Sequence, residues 1–151
     1  MRRMAVLLVL PFLAGACGGS NTTASSPAPA APSPKPITVA VNAVGNSGVT
    51  GMAEITKATG SFTVKLTLNG MKAASQHANH IHKGSCSKSG PIDKALQTIS
   101  ADASGAGTAT TSVPGEFAIP AEGWYVNVHT GPDITQPGQG APIACGDVPA
   151  S

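Results

Sequence analysis

The sequence predicts an all-β domain: an antiparallel Greek-key β-sandwich or barrel of seven or eight short strands. Three observations lead there. Residues 61–68, SFTVKLTL, alternate strictly, with Phe62, Val64, Leu66 and Leu68 on one face and Thr63, Lys65 and Thr67 on the other. Short apolar and β-branched runs of this kind recur along the chain, divided by Gly, Pro and Asn turn signals. No segment sustains a capped 3.6-residue apolar period, so at most one helical turn is expected, within residues 92–99.

In order, residues 37–44, ITVAVNAV, form the first strand, and Asn46, Ser47 and Gly48 end it. VTGMAEITK (49–57) resumes, Ala58-Thr59-Gly60 turns, and the alternating strand 61–68 follows. Asn69-Gly70 is a strong turn signal. HANHIH (77–82) reads as a short strand, and 101–113 as a turn at Ser104-Gly105 followed by a strand. GWYVNVHT (123–130) is the clearest late strand, and APIACGDV (141–148) is the last.

The N-terminus has another purpose. Arg2 and Arg3 precede an apolar stretch from Ala5 to Leu13, and small residues lead into Cys17. Such a stretch is too short to span a bilayer, which takes roughly 20 apolar residues, and has the layout of a secretory signal. Residues 1–16 are therefore expected to be a signal peptide that resembles those of bacterial lipoproteins, with Cys17 as the lipidated residue. Residues 17–36 continue as a Pro/Ala/Ser-rich tether with too little apolar surface to offset the entropy of ordering. The folded domain is expected over 37–149, exported and held by its lipid at a bacterial membrane, on the outer face of the cell membrane or in a periplasmic or outer-membrane leaflet. Without Arg2 and Arg3 the chain keeps seven lysines and no arginine against seven acidic residues. That balance argues against nucleic acid as a partner.

Of three cysteines, Cys17 is assigned to the lipid, which leaves Cys86 and Cys145. In an oxidising compartment they read as a disulfide, and the rival reading is a pair of thiolate metal ligands. A disulfide there would close a loop of about 60 residues, worth on the order of 4 kcal/mol in the chain-entropy model. With three Phe, one Tyr and one Trp to build a core, the domain is expected to depend on it.

Three of the four histidines lie within HANHIHKGSC, residues 77–86. Along a strand alternate side chains share a face, so His80 and His82 project together while Ile81 faces the core. In Tyr125-Val126-Asn127-Val128-His129 the valines share the core face and His129 projects oppositely, with Tyr125 and Asn127. If the two strands are neighbours, three imidazoles converge, a donor set that suits copper or zinc. His77 faces the other way in an ideal strand, and a bend at Ala78-Asn79 would bring it in as an optional fourth ligand. Trp124 and Tyr125 read as packing residues and Asn127 as a residue that holds a loop or a ring. Asp133 and Asp147 read as turn or strand-end residues. There is no Ser/His/Asp arrangement and no Gly-rich phosphate loop.

H-I-H-x-G-x-C, W-Y-V-N-V-H-T and I-A-C-G-D-V, in that order, resemble the copper/zinc superoxide dismutase-like fold. They are more closely similar to the chordin-type CHRD domains of bacterial exported proteins, over about residues 37–149. In the dismutases an H-x-H pair and a later strand histidine bind copper, and a cysteine shortly after H-x-H pairs with one in A-C-G. The resemblance thus implies copper ligation by His80, His82 and His129 and a Cys86–Cys145 disulfide. The departures matter as much. SKSGPIDKALQTISADASG, after Cys86, contains no histidine, so neither the metal-bridging ligand nor a zinc site is expected. Pro142 stands where the dismutases carry the arginine that guides superoxide. The expected function is a binding module holding one copper ion. A weak copper-only superoxide dismutase and a metal-free structural β-domain are the alternatives.

Overall fold

The computed structural model describes residues 34–150. The expected signal peptide 1–16, Cys17 and nearly all of the tether lie outside the described residues. The described chain contains no helix. Its ten strands are β1 (Ile37–Ala43), β2 (Thr50–Ala58), β3 (Ser61–Asn69), β4 (Gln76–His77), β5 (Asn79–Ser85), β6 (Lys88–Ala95), β7 (Ile99–Ser100), β8 (Gly107–Pro114), β9 (Trp124–His129) and β10 (Pro142–Val148). Eight form one antiparallel sheet in the order β6-β5-β9-β10-β1-β2-β3-β8, while β4 and β7 pair separately. The three non-consecutive neighbours, β5–β9, β10–β1 and β3–β8, are those of a Greek key.

The sheet curls at the β10–β1 joint, where only Asn42↔Cys145 and Ala43↔Ala144 pair. Gly146 permits that joint, because a Cβ there would lie 2.3 Å from the Ala40 carbonyl oxygen. Curling brings the two halves face to face over one apolar core. Phe62, Val64, Leu66 and Leu68 enter it from β3, and Ile81, Val126 and Val128 from the opposite half. Phe62 meets Trp124 at 5.7 Å and Phe117 at 5.4 Å between ring centroids, so one aromatic cluster spans the core. The expected alternation of β3 holds at each apolar position, all four being at most 1% exposed.

Two segments, 88–95 and 77–82, differ from the sequence reading. Residues 88–95 form the edge strand β6, which runs into the segment 92–99 where at most a helical turn is expected. Lys88-Ser-Gly-Pro-Ile-Asp-Lys-Ala buries none of its side chains fully, so it lacks the apolar alternation that marks a strand. The turn and the strand expected over 101–113 both form, the strand beginning at Gly107. Before it, the Asp102 carboxylate accepts hydrogen bonds from the Ser104 amide, the Ser104 hydroxyl and the Ala106 amide, and these close a turn. HANHIH is two strands. The chain breaks at Ala78, whose amide donates to Gly131 O and whose carbonyl accepts from the His129 amide.

Candidate metal centre

β5 and β9 are neighbours. Their register sets His80 against Asn127, Ile81 against Val126 and His82 against Tyr125. Ile81, Val126 and Val128 are fully buried in the core, so strand alternation sends His80, His82 and His129 to the other face. That face is closed off as well: His82 and His129 are buried, and His80 is partly so. One potential ligand atom from each of the three histidines lies within 4.8 Å of the others. The ring centroids form a near-regular triangle, 5.8 Å for His80–His82, 5.2 Å for His80–His129 and 5.7 Å for His82–His129.

Backbone carbonyls fix two of the rings. His82 Nδ1–H donates to Gly90 O at 3.0 Å, and His129 Nδ1–H donates to Gly140 O at 2.8 Å. A carbonyl only accepts, so the proton of each neutral ring sits on Nδ1 and the lone pair on Nε2. Those two Nε2 atoms, and His80 Nδ1, are buried without any hydrogen-bond partner. A buried polar nitrogen left unpaired costs about 1–3 kcal/mol, and three in one cluster form an unusual concentration. One cation bound by all three lone pairs removes that cost, so the residues fit a metal ion.

The electrostatics agree. Burial, then the like charges that His129 and His82 would carry, lower the His80 pKa to about 4. Burial lowers that of His129 too, opposed by its bond to Gly140 O, with His82 adding a further depression. Both rings are therefore neutral near pH 7, as a ligand must be. The ligand group contains no carboxylate or thiolate.

The structure does not bring His77 to this group. It lies on β4, buried, with its Nδ1 hydrogen-bonded to the His129 carbonyl at 2.9 Å and its Nε2 hydrogen-bonded to the Ser75 hydroxyl at 2.7 Å. With both nitrogens engaged, His77 braces the backbone of a ligand. Cys86 and Cys145 form the disulfide, tying the β5–β6 turn to β10, so neither sulfur is a thiolate ligand. Trp124 packs in the core, while Tyr125 stacks on His82 at 5.1 Å and 29°. Burial, first, raises the Tyr125 hydroxyl pKa. The buried Asn127 leaves its Oδ1 unpartnered. Asp147 accepts from the Cys86 amide at 2.7 Å, and Asp133 from the Thr135 amide at 3.0 Å, both as anchors of the backbone.

Sequence reading missed Gly90 and Gly140, which orient the two rings through carbonyls that any residue possesses. Gly90 carries one faint signal: a Cβ there would lie 2.3 Å from Lys83 O, so close packing of β6 on β5 demands glycine.

A family model described as the CHRD domain matches residues 34–133. The chain belongs to the CHRD domain family. No curated protein matches it in sequence. Among solved structures, this CHRD domain is similar to a SOD-like protein from Bacillus subtilis, at 16% identity and a TM-score of 0.61, over 74% of this chain and 97% of that one. It is similar to the Cu/Zn superoxide dismutase from Brucella abortus, at 22% identity and a TM-score of 0.56, over 76% of this chain and all of that one. A double mutant of the Bacillus subtilis protein, with a tyrosine and a proline replaced by histidines, matches at 14% identity and a TM-score of 0.54, covering 74% and 96%. At these identities the likeness establishes the fold, a superoxide dismutase-like β-sandwich.

Proposed function

We propose that this CHRD domain is exported, lipid-anchored through Cys17, and holds one copper ion through His80, His82 and His129. The observation that carries the reading is the set of three buried, unpartnered imidazole nitrogens in three adjacent rings. Imidazoles suit both copper and zinc, and at a given nitrogen site divalent copper binds more tightly than zinc. A copper ion there would supply one-electron redox chemistry. The protein's part is to present three imidazole donors, two of them oriented by the Gly90 and Gly140 carbonyls, at a site where His82 and His129 are buried. A binding, buffering or relay role asks no more than this. The disulfide accords with an oxidising compartment.

The dismutase reading stands second. The fold and the three histidines favour it, and Pro142 in place of the guiding arginine argues against efficient capture of an anion. A copper-loaded chain is expected to clear superoxide far below the diffusional limit.

Titration of the purified chain with Cu(II) and with Cu(I) tests the copper assignment. One equivalent should bind, and the triple variant His80→Ala/His82→Ala/His129→Ala should bind none. Failure to bind stoichiometrically, or unchanged binding in the triple variant, would sink it. The anchor is tested separately: metabolic labelling with a radioactive fatty acid should mark the chain, and Cys17→Ser should lose the label.

A further inference from the structure

The face of β9 that carries His129 holds one more buried polar side chain. Asn127 is 6% exposed, and its Oδ1 is buried with no hydrogen-bond partner. Strand alternation puts it on the histidine side, between Tyr125 and His129. Across the sheet it stands directly opposite His80 on β5 and Cys145 on β10. Residues so paired on antiparallel strands have Cβ atoms about 4.5–5.5 Å apart.

None of these neighbours donates to that oxygen. The Cys145 sulfur is held in the disulfide and carries no proton, and the His129 Nδ1–H goes to Gly140 O. His80 Nδ1, His82 Nε2 and His129 Nε2 are buried and unpartnered as well, so four unpaired polar atoms come from one face of β5 and β9. The other two such atoms among the described residues, Asn79 Oδ1 and Trp124 Nε1, belong to positions that alternate with Ile81 and Val126 on the core side. An acceptor buried without a donor is costly, and a cation satisfies an amide oxygen as it satisfies a ring nitrogen.

The donor count points the same way. Three imidazoles fall one short of the four donors of a closed zinc site or a square-planar Cu(II) site. The histidine group includes no carboxylate or thiolate, and the fourth histidine, His77, has both nitrogens engaged. We propose that Asn127 is the fourth ligand, its side-chain oxygen binding the metal held by His80, His82 and His129. The proposal rests on the three-histidine reading and adds a hard oxygen donor to it. A carbonyl oxygen serves Cu(II) and does little for Cu(I), which prefers softer donors. Asn127 therefore biases the site toward the oxidised ion.

Two variants test this in the full chain. Asn127→Leu removes the oxygen and keeps a side chain of similar shape; Asn127→Asp keeps the shape and makes the oxygen anionic. Competition titrations against chelators read the Cu(II) and Cu(I) affinities separately, and electron paramagnetic resonance reads the Cu(II) donor set. Asn127→Leu should lose Cu(II) affinity by at least the roughly tenfold typical of removing a metal's supporting partner, with Cu(I) affinity nearly unchanged. Asn127→Asp should bind Cu(II) at least as tightly as the unaltered chain, and its charged donor should lower g∥. Circular dichroism verifies that both variants are folded. The rival is a water that donates to Asn127 from the cavity of about 70 Å³ that it lines with Ser89 and Tyr125. In that case Asn127→Leu spares Cu(II), or weakens both ions alike, and Asn127→Asp leaves g∥ unchanged; any of these results overturns the proposal while the three-histidine site stands. An unaltered chain that binds neither ion overturns both.

Discussion

Replacing His77 by phenylalanine separates a brace from a ligand. An aromatic ring slightly larger than imidazole takes its place, and the substitution removes the hydrogen bond from Nδ1 to the His129 carbonyl and the one between Ser75 and Nε2. The orphaned carbonyl belongs to a residue only 5% exposed, so leaving it unpaired should cost about 1–3 kcal/mol of stability. Partners that orient a metal's ligands typically change affinity by about 10–100-fold when removed. The expected outcome for His77→Phe is one bound copper per chain, held about 10–100-fold more weakly, with the coordinating nitrogens unchanged in number. Competition titration against a chromophoric chelator reads the affinity, denaturant unfolding reads the stability, and the nitrogen hyperfine pattern of bound Cu(II) reads the ligand set. Loss of one nitrogen from that pattern, or of stoichiometric binding, would mean that His77 is a ligand and that its two hydrogen bonds have been misread. An affinity within twofold of the unaltered chain would refute the brace.

Three more outcomes are expected. Reducing the Cys86–Cys145 disulfide, which links residues 59 positions apart, should remove on the order of 4 kcal/mol of stability; an unchanged midpoint in a denaturant series would contradict it. Stability of the metal-free chain should fall as pH drops from 6.5 toward about 4, because unfolded His80 takes up a proton in that window while the folded ring resists it. One proton accounts for at most about 1.4 kcal/mol per pH unit, and partial exposure of His80 reduces that figure, so a slope no flatter in His80→Gln would count against the assignment. Gly90→Ala places a Cβ 2.3 Å from Lys83 O, so β6 must shift and carry with it the carbonyl that orients His82. Copper affinity should fall by about 10–100-fold, and an unchanged titration would show that this carbonyl does not set the ring.

Much of the fold was legible because alternation is a backbone property that side chains report. SFTVKLTL and WYVNVH declare their faces, and the structure buries Phe62, Leu66, Val126 and Val128 accordingly. The convergence of His80, His82 and His129 was legible for the same reason, once β5 and β9 proved to be neighbours. β6 was not, because an edge strand is free to be polar and its proline and charges read as a loop. The part played by His77 was hidden by the break at Ala78, which moves it to another strand pair and gives both its nitrogens to other partners. Gly90 and Gly140 act through backbone oxygens, which leave no residue signature beyond the glycine that close packing demands at position 90.

The central claim is that these three imidazoles hold copper in the living cell. Metal analysis of the chain, purified under metal-free conditions from its own host, tests it most directly. The account predicts one copper per chain and no copper in His82→Ala. A different metal at one equivalent, or no metal at all, would contradict it.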